Sequence, residues 1–194
     1  MSGHFAEGHV GQAMNSESDT QRDWFDWAES FLADWKARDT EWHESFSPLA
    51  HRVLELATQA ALSLQDDAVG TEHLLAGLLK LELGAASAAL KDAGLSLPLL
   101  RAEIETERGG HQGRKISRPI PWTPRAKRII QRSRKSVFAS GHGCVEPEIL
   151  LWELLREEEG LPARMFRKRA IDTEKIKNVI MGHFVIPPHE GHSQ

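Results

Sequence analysis

A long internal duplication is the feature that most constrains how this chain can fold. Residues 46–84 align without a gap on residues 122–160, at an offset of 76, and 11 of the 39 aligned positions are identical. Unrelated segments would share about two or three. The identical pairs are Pro48/Pro124, Ala50/Ala126, Arg52/Arg128, Val69/Val145, Glu72/Glu148, Leu74/Leu150, Leu75/Leu151, Leu78/Leu154, Leu79/Leu155, Glu82/Glu158 and Gly84/Gly160. The duplication predicts two copies of one structural unit, related by pseudo-two-fold symmetry.

Each copy carries the sequence signals of four helices. Ser47 and Thr123 are each followed by proline, as at a helix N-cap and first turn. The predicted buried stripes of the two first helices are Ala50, Val53, Leu54, Ala57 and Ala61, and Ala126, Ile129, Ile130, Ser133 and Val137. Leucine pairs give each second helix a broad apolar face, expected at the centre of the core, at Leu74, Leu75, Leu78 and Leu79 and at Leu150, Leu151, Leu154 and Leu155. Gly84 and Gly160 fit C-terminal caps of those helices. The predicted fold class is all-α, with two tandem four-helix repeats.

Composition divides the chain into segments. Residues 1–22 lack periodic apolar positions and are predicted to be a disordered leader, and residues 183–194 a flexible tail. The repeats occupy residues 46–182, as repeat 1 (46–108), a linker containing Gly and Pro (109–121) and repeat 2 (122–182).

Residues 23–45 form a Trp-rich acidic arm. Trp24, Trp27, Phe31 and Trp35 recur near helical spacing with acidic residues between them, which predicts an N-terminal amphipathic helix. Its apolar face could pack on the same chain, enter a partner's groove or form a homodimer. These four side chains are therefore candidate partner-binding residues.

Charge is distributed unevenly along the chain. The formal net charge is −4, yet residues 1–46 carry −7 and residues 105–135 carry +8. One hypothesis is that the acidic arm folds onto the basic segment as a built-in blocker. A different hypothesis is that the chain is a regulatory protein, which binds nucleic acid or another anionic partner through residues 108–135. The segment holds one aromatic residue, Trp122, and no recognised nucleic-acid motif, which argues against nucleic acid.

The remaining composition points to a cytoplasmic protein. Cys144 is the single cysteine, which excludes an internal disulfide and a multi-cysteine zinc site. The N-terminal residues lack the basic and apolar regions of a signal peptide, and no stretch has the length of apolar residues that a membrane span needs, so we expect no membrane association.

Three segments resemble the double Clp N-domain, the helical repeat module at the front of ClpC-type bacterial protein unfoldases. They are FSPLAHRVL (46–54), GTEHLLAGLL (70–79) and WTPRAKRII (122–130), together with the duplication. Repeat 2 departs from the family pattern, because Glu146-Pro147-Glu148-Ile149 stands where repeat 1 has Gly70-Thr71-Glu72-His73. No phosphate-loop motif of a motor domain occurs in these residues, so the resemblance implies a freestanding N-domain with an added arm.

The resemblance also implies a ligand. N-domains of this type recognise phosphorylated arginine on substrate proteins, with one site per repeat, and the matching residues here are Ser47 with Glu72 and Thr123 with Glu148. A carboxylate suits a guanidinium, and a hydroxyl at a helix start suits phosphate. The same residue types are also ordinary helix caps, so a purely structural role is the alternative. The neighbourhood between the repeats receives adaptor proteins in the family, which makes Arg125 and Arg128 candidate partner-binding residues.

No catalytic constellation is found. Cys144 lies near His142 but aligns with Ala68 of repeat 1, which favours a packed side chain over a nucleophile. His51 and Glu55 lack a third residue at metal-ligand spacing, and His73 is interpreted as a structural hydrogen-bonding group. We therefore predict a non-enzymatic module without metal or cofactor. It would act as an adaptor or accessory in ATP-dependent Clp proteolysis, with substrate peptides, Clp components or other adaptors as partners.

Overall fold

The computed structural model describes residues 45–109, 120–140 and 143–183, and every regular element in those ranges is an α-helix. The helices are α1 (Pro48–Ser63), α2 (Thr71–Lys80), α3 (Gly84–Asp92), α4 (Leu97–Arg108), α5 (Pro124–Ser140), α6 (Pro147–Leu155), α7 (Leu161–Lys168) and α8 (Thr173–Met181). The starts of α5 to α8 follow those of α1 to α4 at the offset of 76 to within one residue. The all-α class is confirmed.

Side-chain caps fix where several helices begin. The Ser47 Oγ accepts a hydrogen bond from the Ala50 N–H at 3.2 Å, and the Asp172 Oδ1 accepts one from the Lys175 N–H at 2.9 Å. The prediction that Gly84 and Gly160 cap the second helices is wrong. The second helices end earlier, at Lys80 and Leu155, whereas Gly84 is the first residue of α3 and Gly160 is the N-cap of α7. Their φ angles of +81° and +98° are the left-handed values that reverse the chain into the third helix.

The predicted core is confirmed in both copies. Each member of the two predicted stripes is buried, from Ala50 at 0% exposed to Val137 at 6%. The second helices lie at the centre, with Leu74, Leu75, Leu150 and Leu151 fully buried. Helix α2 packs against α1 at backbone distance, since a Cβ on Gly77 would lie 2.4 Å from the Val53 carbonyl oxygen.

The third helices pack across the repeats. Helix α3 of repeat 1 packs against α6 and α8 of repeat 2, and α7 of repeat 2 packs in the same way against α2 and α4 of repeat 1. Charged pairs join α4 to α7: Glu103, only 4% exposed, accepts from Lys168 at 2.6 Å and Arg169 at 3.3 Å, while Arg164 forks onto Glu107 at 2.8 and 3.2 Å. The two copies therefore share one core.

Two short β-bridges also connect the repeats. Phe46 pairs with Val145, and Val69 pairs with Trp122, in both cases in parallel. Because Phe46 is equivalent to Trp122 and Val69 to Val145, the two bridges are one contact repeated about the pseudo-two-fold axis. The segment before the first helix of each repeat is thereby held beside the segment before the second helix of the other.

Candidate functional site

The two predicted hydroxyl groups cap their helices. The Thr123 Oγ1 accepts from the Ala126 N–H at 3.2 Å, as Ser47 does from Ala50. Ser47 is buried at 4% exposed, and Thr123 is half-buried. A capping hydroxyl uses its oxygen as an acceptor, so its own hydrogen can still be donated to a ligand oxygen.

The structure joins each hydroxyl to the glutamate segment of the other repeat. The Ser47 N–H donates to the Val145 carbonyl at 3.0 Å, three residues before Glu148, and the Thr123 N–H donates to the Val69 carbonyl at 3.0 Å, three residues before Glu72. Within repeat 1, Ser47 starts α1 and Glu72 starts α2. These two helices form a hairpin in which Gly77 near the end of α2 lies beside Val53 near the start of α1. The 16 residues of α1 span about 24 Å, so Ser47 and Glu72 lie toward opposite ends of the hairpin.

The start of α2, which carries Glu72, lies close to the start of α5, which carries Thr123 and Arg125, and this junction is here called the Glu72 pocket. A Cβ on Gly160, at the start of α7, would lie 2.8 Å from the Thr71 Oγ1 and 3.5 Å from the Arg125 Cδ. The starts of α2, α5 and α7 therefore meet at Thr71 and Gly160, next to Glu72 in the sequence. N–H groups and the positive ends of helix dipoles concentrate at such a junction.

The Glu72 carboxylate is only lightly engaged. Its Oε2 accepts from the Thr71 hydroxyl at 3.3 Å, and its side chain is 25% exposed. The carboxylate folds back over Gly70, so a side chain at this position would displace the flexible end of Glu72. The Arg164 guanidinium is the nearby positive charge. Its pKa is raised mainly by its hydrogen bonds to Glu107 and to a smaller extent by the charge of Glu72.

Glu148 has a different environment, although it occupies the equivalent position. It is 9% exposed, and its Oε1 accepts from the Ala86 N–H at 3.0 Å, which caps the start of α3. Repeat 2 has Glu146 in place of Gly70, so the space over which the Glu72 carboxylate folds is occupied there. Repeat 1 offers the N–H of Ala86 to Glu148, whereas the equivalent residue of repeat 2 is Pro162, which has no N–H to offer. A glutamate cap of the third helix is therefore seen for Glu148 and α3.

Arg125 and Arg128 lie on α5 and are paired with glutamates that follow α6. Arg125 donates to Glu159 at 2.5 Å, and its Nε lies 3.7 Å from Glu157. Arg128 lies 3.9 Å from the same Glu157 carboxylate. These pairs neutralise part of the basic segment, which further weakens the case for nucleic-acid binding through it.

A buried charge cluster that the sequence did not predict lies next to Arg128, since Arg128 and Arg132 approach the same Glu157 carboxylate. Glu153 is fully buried and is held by Arg132 at 3.1 Å, Arg156 at 3.3 Å and the Ser136 hydroxyl at 2.9 Å. Its equivalent in repeat 1 is Gly77, which has no side chain, so the duplication gave no signal for the cluster.

His73 has the structural role expected for it. The fully buried imidazole accepts the Gly70 N–H on Nδ1 at 2.9 Å, so Nε2 carries the proton and lies 2.8 Å from the Asp66 Oδ2. Arg108 donates to Asp66 and to the Leu64 carbonyl. Burial alone would raise the pKa of Asp66, but the contacts with His73 and Arg108 hold it below its usual value.

Cys144 shows no activation as a nucleophile. Burial, followed by the charge of Glu146, raises the pKa of its thiol, and the Sγ donates to the Glu146 Oε1 at 3.6 Å. A raised pKa leaves less of the reactive thiolate. Within the ranges that the structure covers, no group of three His, Cys, Asp or Glu residues could hold a metal ion.

No single helix in the described ranges is long and apolar enough to cross a membrane. Helices α2 and α3 have the required length and composition only when taken together, and they are bent by 101° relative to each other.

Several predicted residues lie outside the described residues. They are Trp24, Trp27, Phe31 and Trp35 of the arm, with the leader, most of the linker and the tail. The roles proposed for them stay predictions.

Comparison with known proteins decides the family. The family model described as "Clp repeat (R) N-terminal domain" matches residues 45–169, well over half of the chain. The chain belongs to the Clp N-domain family. Among curated proteins, it is 35% identical over 136 residues to the "Negative regulator of genetic competence ClpC/MecB" of Bacillus subtilis (strain 168), and 36% identical over 138 residues to the chloroplastic "Chaperone protein ClpC" of Pisum sativum. These alignments cover 70% and 71% of this chain but only 16% and 15% of the relatives, so the chain spans about a sixth of their length.

Solved Clp N-domains share the fold. The ClpD N-terminal domain of Arabidopsis thaliana matches with a TM-score of 0.58 at 18% identity, covering 72% of this chain and 94% of that one. The Hsp104 N-terminal domain of Candida albicans matches with a TM-score of 0.59 at 16% identity, covering 71% and 90%. A ClpV N-domain in complex with a VipB peptide matches with a TM-score of 0.54 at 17% identity, covering 76% and 93%.

Proposed function

We propose that this Clp N-domain is a non-catalytic module that binds protein or peptide segments as an adaptor or accessory in Clp-dependent proteolysis or protein quality control. The family supports a binding role, and the peptide-bound ClpV N-domain is a relative of the same fold that binds a peptide. The ligand proposed is a segment marked by phosphoarginine. The Glu72 pocket carries this proposal.

The chemistry of the Glu72 pocket suits such a ligand. A phosphoarginine side chain combines a planar guanidino group with a phosphoryl group. The 25% exposed Glu72 carboxylate can accept N–H bonds from the guanidino group, because its own contact with Thr71 is long. The Thr123 hydroxyl and the helix starts provide donors and positive charge for the phosphate.

Glu148 is a poorer receptor for the same ligand. Its Oε1 already caps α3, and both Glu148 and Ser47 are buried. Binding there would require breaking the cap. We therefore propose that the Glu72 pocket supplies most of the affinity.

Calorimetric titration of the full chain with a phosphoarginine peptide tests this proposal. We expect Glu72→Gln to weaken binding by about tenfold or more, because the variant loses a charge-assisted hydrogen bond worth about 1.5–3 kcal/mol. Glu148→Gln is the matched control and should weaken binding by less than about threefold. The unphosphorylated arginine peptide controls for charge alone.

The outcomes separate the parts of the proposal. Absence of saturable binding would reject phosphoarginine as the ligand, and equal weakening by both variants would reject the preference for Glu72. The adaptor role is tested separately by adding the chain to a purified ClpC-type unfoldase and its protease. The degradation rate of a marked substrate should change, and an unchanged rate would reject that role.

A further inference from the structure

One arginine of α7 lies beside the Glu72 pocket. Arg164 follows Gly160 by one helical turn, and its N–H donates to the Gly160 carbonyl at 3.2 Å. Gly160 is the residue at which α7 meets Thr71 of α2. Because side chains of an α-helix lean toward its N-terminus, the Arg164 side chain is directed back toward this junction. Its guanidinium is therefore placed at the edge of the pocket.

Glu107 holds Arg164 without burying it. The Arg164 Nε and Nη2 donate to the two carboxylate oxygens of Glu107, at 3.2 and 2.8 Å. A guanidinium has more N–H donors than this fork uses, and the described residues provide no other hydrogen-bonded acceptor for it. The side chains of Arg164 and Glu107 are 50% and 40% exposed. The fork therefore orients a guanidinium that a ligand can still reach.

Arg164 also interacts with Glu72 through charge. The Glu107 hydrogen bonds are the main cause of the raised pKa of Arg164, and the negative charge of Glu72 adds to them. The positive charge of Arg164 is in turn felt by a group bound to Glu72. An unmodified arginine bound there would bring a second guanidinium near Arg164, and the two like charges would repel each other.

Phosphoarginine reverses the sign of this effect. A phosphoryl group carries about −1.5 to −2 charge at neutral pH, which exceeds the single positive charge of a guanidino group. The modified side chain is therefore attracted to Arg164 as a whole. The same cation would favour one ligand and disfavour the other.

The arginine is present in one repeat only. The position of repeat 1 equivalent to Arg164 is Ala88 on α3, the helix whose start Glu148 caps. The surroundings of Glu148 thus lack a charged side chain at this position. Since repeat 1 folds with alanine there, the shared scaffold does not require an arginine.

We propose that Arg164 sets the specificity of the Glu72 pocket, by attracting the phosphoryl group of phosphoarginine and repelling unmodified arginine. This inference rests on the phosphoarginine site proposed above. Glu72 receives the guanidino group of the ligand, and Glu107 keeps the Arg164 guanidinium oriented.

Calorimetric titration of the full chain with two peptides, which differ only in phosphorylation of one arginine, tests this assignment. The quantity compared is the ratio of the two dissociation constants. We expect Arg164→Gln to lower the preference for the phosphorylated peptide by about tenfold, because the change weakens one complex and relieves repulsion in the other. Arg164→Lys keeps the positive charge and should retain most of the preference.

Arg52→Gln is the matched control. The Arg52 side chain is 52% exposed and forms an ion pair with Glu55 at 2.9 Å, but it lies on α1, outside the junction of α2, α5 and α7. Its loss should leave the preference unchanged. Far-UV circular dichroism should show that all three variants keep their helices, since neither arginine is buried.

The outcomes separate this inference from the proposed function. An unchanged preference in Arg164→Gln would reject the role of Arg164 and leave the phosphoarginine site in place. Equal losses in the glutamine and lysine variants would reject charge as its basis, and an equal loss in Arg52→Gln would assign the effect to the overall charge of the chain. Absence of binding by the wild-type protein would reject the site itself and this inference with it.

Discussion

The unequal roles of Glu72 and Glu148 give a sharp test of the structure, because the two residues occupy equivalent positions. Both are the second residue of their helix, so substitution by alanine removes the same favourable interaction with the helix dipole from each. The gain in helix propensity is also the same. The difference between Glu148→Ala and Glu72→Ala therefore isolates the contacts outside the helix.

The magnitude follows from the cap on α3. Glu148→Ala removes the 3.0 Å bond to the Ala86 N–H, and the N-cap residue Leu83 offers no side-chain replacement. Loss of such a cap costs about 0.5–2 kcal/mol, and leaving a buried donor unpaired costs about 1–3 kcal/mol, terms that overlap. Glu72→Ala removes only long interactions, namely the 3.3 Å contact with Thr71, the 3.7 Å approach to the His73 Nδ1 and the charge attraction to Arg164. We expect Glu148→Ala to be less stable than Glu72→Ala by about 1.5 kcal/mol, or about 3–6 °C in Tm.

Urea unfolding followed by far-UV circular dichroism measures the difference at pH 7, with a thermal melt as a second readout. Equal losses of stability in the two variants would show that Glu148 does not cap α3. Greater loss in Glu72→Ala would reverse the assignment. Combined with the phosphoarginine titration, the expected pattern is that Glu148→Ala lowers stability and Glu72→Gln lowers affinity.

Three further predictions concern stability. The pKa of Asp66 is lower in the folded state than in the unfolded chain, so its contribution is full above the unfolded value of about 3.9 and is lost as pH falls through the folded value. Asp66→Asn should therefore cost about 1–2 kcal/mol at pH 7, and the loss should shrink in urea titrations at decreasing acidic pH; a loss independent of pH would contradict this. Arg132→Ala should lower the free energy of unfolding in urea by about 2 kcal/mol. This is less than the roughly 3–5 kcal/mol typical of a broken buried pair, because Glu153 keeps its contact with Arg156. An unchanged unfolding midpoint would refute this prediction. Gly77→Ala should cost about 3 kcal/mol despite its better helix propensity, since the new Cβ would meet the Val53 carbonyl; a more stable variant would show that α1 and α2 can separate freely.

The sequence predicted most of the helical framework because its signals are local or repeated. Serine–proline at 47–48 marks the start of α1, and the leucine pairs of α2 and α6 are buried as the pattern indicates. The wrong assignment of Gly84 and Gly160 has a local cause as well. A glycine with positive φ is common after a helix, and spacing alone does not show that the preceding helix has already ended.

The candidate site was less predictable because its residues come from both repeats. The family resemblance paired Ser47 with Glu72, whereas the backbone bonds place Ser47 beside the segment before Glu148. The buried Glu153 cluster could not be found by comparing the repeats, since repeat 1 has glycine at that position. Comparing the repeats shows which residues differ between them. It does not show what those residues contact when the partner belongs to the opposite repeat.

The sequence by itself determined the duplicated all-α framework, because capping residues and apolar periodicity act within one helix or its neighbour. Only the tertiary structure decided that α3 and α7 pack across the repeats, and with them which carboxylate is used as a cap. Glu72 and Glu148 are identical residues in aligned segments, yet Glu148 accepts the N–H of Ala86, whereas the residue of repeat 2 equivalent to Ala86 is Pro162, which has no N–H. That single hydrogen-bond donor, supplied by the opposite repeat, separates a buried carboxylate used as a helix cap from one that stays partly exposed.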